Sequence, residues 1–355
     1  MSARLGLPDS TAVPAALAAF IFILAGTAVV LASTRIVRYG EIVAERTRMG
    51  HLWVGATMIA AVTSFPEMAT DISAAIIDAP DLAAGDLFGS SLANMLIFAA
   101  LSIWFARLWR GHSISTVEWV TWAVALLVTT EAMLFILFDM GPQILAVGSG
   151  GILITVSYVV GARIIFQRSA ASGQEILRQG QTAAAAVDSP AGPSLPDWPL
   201  KQVLVRFSFW AAIVFIAAPL LAVAAEELAG ATGLGDTFFG VIALAVITSL
   251  PELAASIAAF RRGLPSMVAG NLLGSNGLNM LIILAVDIFF TKGPFLQSIV
   301  ETHALAALEG IVMMVAVMGG VLLLSRSREA LGKAVLGAAV VFYVASMVSI
   351  YARTT

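Results

Sequence analysis

Thr63-Ser64-Phe65-Pro66-Glu67 and Thr248-Ser249-Leu250-Pro251-Glu252 are one pattern written twice, 185 residues apart. Each is followed at the same spacing by a second pattern, Gly89-Ser90-Ser91-Leu92-Ala93-Asn94 and Gly274-Ser275-Asn276-Gly277-Leu278-Asn279. Aligned without a gap, Gly55 to Ile97 and Gly240 to Ile282 share nineteen of 43 residues. Each copy puts a carboxylate in the middle of an apolar run. Any function assigned to the chain has to explain why.

The surroundings of the two copies are those of a membrane protein. Of 355 residues, 59% are hydrophobic and 12% charged, against about 25% charged in soluble domains. There is no cysteine, which excludes disulfides, thiolate metal sites and thiol catalysis. The net charge of −3 gives no basic surface for nucleic acid, and none is expected as a partner. Met1 to Ser10 contain no apolar h-region, and the run from Ala12 to Ala32 is too long for a signal peptide, so it reads as an uncleaved first span. A span needs about 20 mostly apolar residues. Ten are predicted, near 12–33, 52–76, 81–105, 117–139, 142–166, 202–226, 236–260, 264–290, 300–325 and 331–351. Residues 167–201, with Pro190, Pro193, Pro196 and Pro199, read as a linker with one short helix near Gln174 to Gln181.

Loop charges alternate. Arg35, Arg38, Arg46 and Arg48 follow span one, Arg107 and Arg110 follow span three, Arg261 and Arg262 follow span seven, and Arg326, Arg328 and Lys333 follow span nine. The intervening loops carry Asp78 and Asp81, Asp139, Glu226, Glu227 and Asp236, then Asp287 with Lys292. Basic loops stay in the cytoplasm, which places both termini outside and the linker inside. Five spans per half is odd, so the second copy enters the membrane upside down relative to the first. The expected fold is all-α, with ten transmembrane helices as two inverted five-helix repeats, residues 1–166 and 202–355, and broken helices 2 and 7. Inverted repeats with interrupted helices place a transport site near the midplane, where the repeats meet.

The site chemistry follows from the same stretches. Pro66 and Pro251 offer no N–H to the carbonyls of Val62 and Ile247, so each helix is expected to break just before its glutamate. Free carbonyls between Ala60 and Ser64, and between Ala245 and Ser249, then become candidate cation ligands, because unsatisfied backbone survives at this depth only where protein, water or an ion satisfies it. Helical spacing aligns Thr63, Glu67 and Asp71 on one stripe and Asp86, Ser90 and Asn94 on another. The second half matches with Thr248, Glu252 and Ser256, and with Asn271, Ser275 and Asn279. Gly85/Gly89 and Gly270/Gly274 are expected to let span three approach span two, and span eight approach span seven. Carboxylate, amide, hydroxyl and carbonyl oxygens together exceed six, in reach of the 6–8 hard ligands Ca²⁺ takes. They suit Ca²⁺ or Na⁺ rather than zinc or copper. Without counter-charge each intramembrane carboxylate costs about 2.5–3.5 kcal/mol on insertion scales.

These motifs resemble the α-repeats of the sodium/calcium exchanger family, within the calcium/cation antiporter superfamily. The likeness spans about 43 residues twice, and the ten-span plan extends it to nearly the whole chain. It implies exchange of Ca²⁺ for Na⁺ by alternating access. It implies a Ca²⁺ site between Glu67 and Glu252 with Thr63 and Thr248. It further implies flanking Na⁺ sites using Ser64, Ser249, Ser90, Ser275, Asn94 and the carbonyls of Ala60 and Ala245, and spans one and six sliding across a fixed core. The chain departs from the family pattern where Val62 and Ile247 replace Gly, Ser91 replaces Asn, and Asn279 replaces an Asp on the metal-binding stripe. Asp71 and Asp86 stand where Ser and Asn are usual.

Asp71 and Asp86 lie one to two turns outward of Glu67 and Ser90, as an outer cation-collecting vestibule or a proton site, where paired acids would hold one proton between them. Glu131 and Glu309 have no counterpart at the repeat offset and read as helix-packing groups. His51, His112 and His303 fall near span ends. The partners are inorganic cations and the bilayer, with no cofactor beyond the transported ions. A proton-coupled antiporter of Ca²⁺ or another divalent cation is the alternative, since two glutamates could trade two protons for one Ca²⁺. Mg²⁺ fits less well because it dehydrates reluctantly. A cation channel would use the same oxygens without a counter-ion. A membrane hydrolase would need a nucleophile with a base, or a metal-bound water; no His sits in the core and no Asp pair has the usual protease context, so no catalytic residues are assigned. The compact form and short linker point to a prokaryotic plasma membrane.

Overall fold

The structure, a computed structural model, describes residues 15–138, 143–144, 147–183, 198–232 and 249–354. Its helices are α1 (Ala15–Thr47), α2 (His51–Ile76), α3 (Pro80–Trp104), α4 (Thr116–Phe138), α5 (Ser149–Ala183), α6 (Leu200–Thr232), α7 (Leu250–Arg261), α8 (Pro265–Phe289), α9 (Thr302–Ser325) and α10 (Glu329–Thr354). Among the described residues, nine of these are long and apolar enough to cross a membrane. The other, α7, is the described end of expected span seven. A two-residue antiparallel pair, β1 (Gln143–Ile144) and β2 (Val147–Gly148), precedes α5.

Three boundaries differ from the sequence expectation. Helix α1 continues fourteen residues past the expected end at 33, to Thr47. The expected separate helix near Gln174 to Gln181 is instead the continuation of α5 to Ala183. The 142–166 span begins only at Ser149, because the β pair turns the chain first. Helix ends are set by local chemistry. Ser115 and Glu118 form a reciprocal cap on α4: Glu118 N donates to Ser115 Oγ at 3.2 Å, and Ser115 N to Glu118 Oε2 at 2.6 Å. Pro80 and Pro265 open α3 and α8 at positions where a missing N–H costs nothing.

Helix α8 is the axis of the fold. It lies against α2, α3, α4, α5 and α7, and most of its residues are buried. The glycine expectation is corrected here. A Cβ at Gly270 would come 2.2 Å from the carbonyl oxygen of Leu52, and one at Gly274 2.5 Å from that of Ala56. The small residues of α8 therefore admit the backbone of α2, from the other repeat, rather than that of α7. Inversion of the repeats crosses the two glycine-bearing elements, which spacing within one repeat does not reveal. Gly85 and Gly89 press on no helix backbone among the described residues.

Helices α1 and α6 pair along their length and form a layer beside this core. Each has 33 residues, about 50 Å at 1.5 Å per residue, against a hydrocarbon core of about 30 Å. They must tilt or project. Their shared end is tied by rings and cations: Arg206 stands 4.0 Å from the Trp198 ring centre, Arg38 5.8 Å from the same ring, and Arg35 5.7 Å from Trp210.

Loop contacts sort by charge. At one end of the bundle Arg262 pairs with Glu41 and Arg110 with Glu329. At the other, Lys292 pairs with Asp78, Asp81 accepts from Val300 N at 2.9 Å, and His303 Nε2 stands 3.2 Å from Asp81 Oδ1. Asp139 and Asp236 lie outside the described residues.

Candidate cation site

Helix α2 carries Pro66 in its interior without breaking. A π-helical turn, Gly55–Ile59, lies about two turns earlier in the same helix. The interruption expected between Ala60 and Ser64 is therefore a continuous helix. Thr63 Oγ1 donates to Ile59 O and Ala60 O, both at 3.2 Å. The Ala60 carbonyl is thus already bonded. In the second repeat Pro251 sits in the first turn of α7 and Glu252 follows it, at the helix end that favours negative charge. Thr248 and Ala245 lie outside the described residues.

These helices bring the two glutamates together. Glu67 is 6% exposed and Glu252 0%, and each lies within the other's field. The Ser90 hydroxyl stands beside Glu67, and the Thr63 hydroxyl beside Glu252. The Asn279 amide lies beside Glu67; with its oxygen and nitrogen assigned by hydrogen bonding, the nitrogen donates to Glu67 Oε2 at 3.2 Å and to Ser275 O at 3.1 Å. Glu67 Oε1 and both oxygens of Glu252 receive no hydrogen bond. Buried carboxylate oxygens without donors are costly unless a positive charge meets them.

Around this pair the repeats lock through amides. Asn94 Nδ2 donates to Asn276 Oδ1 at 3.0 Å, and Asn276 Nδ2 to Ser91 O at 3.3 Å. Asn94 Oδ1 is left without a donor. Ser64, Ser249 and Ser275 are buried with hydroxyls that meet no hydrogen-bond partner. Ser64 borders an apolar cavity of about 340 Å³ between α2 and α8, with Met68, Leu278 and Leu281 on its wall. Asp71 is fully buried and meets Asp86.

A sequence profile of the sodium/calcium exchanger proteins matches residues 17–166 and again 203–352. The chain belongs to the sodium/calcium exchanger family. It is a transmembrane antiporter of that family. The inner membrane protein YrbG of Escherichia coli is 28% identical over 281 residues, 78% of this chain and 81% of its own. The sodium/calcium exchanger MaX1 of Methanosarcina acetivorans is 43% identical over 58 residues, 16% of this chain and 17% of its own. The fold is that of the sodium-calcium exchanger NCX_Mj, which superposes with a TM-score of 0.66 at 22% identity, over 92% of this chain and 99% of that one.

Within this exchanger family fold, Thr63, Glu67, Ser90, Glu252 and Asn279 make one cluster, with Asn94 a turn further along α3. Asn276 was quoted in the motif but not assigned to the site. Its signal was the offset itself, since it aligns with Ser91 and lies three residues before Asn279 on the same helix. The remaining acids have structural partners. Glu131 accepts from Ser157 Oγ at 2.7 Å and joins α4 to α5. Asp287 accepts from Gly148 N at 2.7 Å and Phe295 N at 2.8 Å.

Proposed function

We propose that this chain exchanges Ca²⁺ for Na⁺ across the membrane, holding Ca²⁺ between Glu67 and Glu252. The observation that carries this reading is the pair of facing, buried glutamates with three oxygens that receive no donor. Two carboxylates neutralise one Ca²⁺, and Thr63 and Ser90 add hard oxygens at its flanks. Thr248 completes the Ca²⁺ set. Ser64, Ser249, Ser90, Ser275, Asn94 and the carbonyl of Ala245 serve Na⁺ as the cargo alternates. Asn279 turns its amide oxygen inward when a cation is bound and its nitrogen toward Glu67 when none is.

Alternating access comes from α1 and α6 sliding over the core, the basic end of the bundle facing the cytoplasm and both termini outside. The membrane is a prokaryotic plasma membrane. The activity is transport without catalysis or a resident cofactor. A second reading, proton coupling, is favoured by Asn279. With an amide on that stripe, the two central glutamates carry the charge of one Ca²⁺ or of two protons.

⁴⁵Ca²⁺ uptake into proteoliposomes under an outward Na⁺ gradient, and separately under an outward proton gradient, tests both. Uptake driven by Na⁺ is expected. Uptake driven by protons alone would transfer the coupling to H⁺. No uptake under either gradient would refute Ca²⁺ as the cargo.

A further inference from the structure

The two repeats carry the same pair of positions on either side of the glutamates, and fill them differently. In the second repeat the pair is Ser256 on α7 and Asn271 on α8. Both are buried, and Asn271 Nδ2 donates to Ser256 Oγ at 3.2 Å. That contact is neutral and closes on itself. At the repeat offset the first-half equivalents are Asp71 on α2 and Asp86 on α3.

Here the donor is gone and two carboxylates face each other. Each acid lies in the other's field, acceptor against acceptor. Asp71 is 0% exposed, and neither of its oxygens receives a hydrogen bond from the protein. No lysine, arginine or histidine pairs with either acid among the described residues. The stretch 233–248, outside them, contains no lysine or arginine. His303 stands 3.2 Å from Asp81, not from this pair. Glu67, one turn along α2, is of the same sign and within their field. A buried pair with no protein counter-charge is matched by a proton held between the acids or by a cation from outside, and two facing carboxylates suit a divalent cation.

The geometry points to a second Ca²⁺ site, formed by Asp71 and Asp86 between the glutamates and the α2–α3 turn. Asp86 is half-buried and lies six residues from the start of α3, about 9 Å along the helix. Water can therefore complete a coordination shell that two carboxylates begin. Two carboxylates match a divalent charge, and their oxygens are hard. The site has no counterpart at Ser256 and Asn271, so the exchanger binds an additional Ca²⁺ on one face only. That face is the one the loop charges put outside, and there the site would stage Ca²⁺ ahead of the central pair. The choice of Ca²⁺ over a proton rests on the function proposed above; the need for a positive charge rests on the pair alone.

Equilibrium ⁴⁵Ca²⁺ binding to the purified full-length protein reads the number of sites directly. Wild type is expected to bind two Ca²⁺ per chain. The double variant Asp71→Ser with Asp86→Asn installs the pair the fold already uses at Ser256 and Asn271, and is expected to bind one. Asp86→Asn alone, at the half-buried position, is expected to weaken the second site at least tenfold. Glu252→Gln should lose the central ion and keep the other. Unchanged stoichiometry and affinity in either Asp variant, at an unchanged melting temperature, would overturn the second site and leave the central one standing. Unchanged binding in Glu252→Gln, or no binding in wild type, would instead overturn the function proposed above.

Discussion

Asn279 and Asn276 lie one turn apart on α8 and do different work. Asn279 faces Glu67, where its amide can present nitrogen to a carboxylate or oxygen to a cation. Asn276 faces the other repeat and accepts from Asn94. Asn276→Ala leaves the Asn94 N–H buried without an acceptor. An orphaned buried donor costs about 1–3 kcal/mol in soluble proteins. Interhelical hydrogen bonds in membranes average nearer 0.6 kcal/mol, so the expected loss is about 1 kcal/mol, visible as a lower melting temperature in detergent. A melting temperature at or above wild type would mean the amide pair does not hold the repeats together. The glutamates were legible in the sequence because a buried charge inside an apolar run has few structural explanations. The Asn94–Asn276 bond was not, because it joins residues 182 apart on crossing helices that no periodicity within one repeat relates.

Helix α2 shows what proline does and does not dictate. Pro66 removes one donor, and the expected response was a break. The helix instead runs on through Pro66 as one continuous helix, with a π-helical turn at Gly55–Ile59 about two turns before it. The placement of spans was legible because apolar length is a strong signal, whereas the way a helix repairs one missing hydrogen bond depends on neighbours. Packing of α2 on α8 is the second element-scale result. Gly270→Ala forces a Cβ to 2.2 Å from Leu52 O, and backbone against backbone cannot yield as a flexible side chain does. The expected destabilisation is about 1–3 kcal/mol. Gly337→Ala, in α10 where nothing lies within 4 Å, should be neutral or gain up to about 1 kcal/mol of helix propensity. Thermal unfolding of the two variants side by side separates these outcomes, and equal melting temperatures would contradict the close α2–α8 approach.

At the scale of the molecule, a sequence duplicated upside down produces two crossing halves with a shared buried site. The inversion was legible from the odd number of spans and the alternating loop charges. The order of packing, with α8 central and α1 with α6 set beside the core, depends on contacts between repeats and was not. The α1–α6 layer meets the core partly through Phe65 of α2 and Phe215 of α6, whose ring centres stand 5.9 Å apart. The chain has no native cysteine. Phe65→Cys with Phe215→Cys, bridged by a short bifunctional thiol reagent, should stop transport and recover it on reduction. Full transport while bridged would mean that the layer does not slide. The most direct measurement is exchange of internal Ca²⁺ for external ⁴⁵Ca²⁺ across proteoliposomes, with no Na⁺ or proton gradient, in wild type, Glu67→Gln and Glu252→Gln. It needs the cargo site and no knowledge of the coupling ion. Wild type should exchange, and each variant should fall at least 100-fold, about 2.7 kcal/mol of lost cation stabilisation. Exchange at the wild-type rate in either glutamine variant would contradict a cargo site built on the two glutamates.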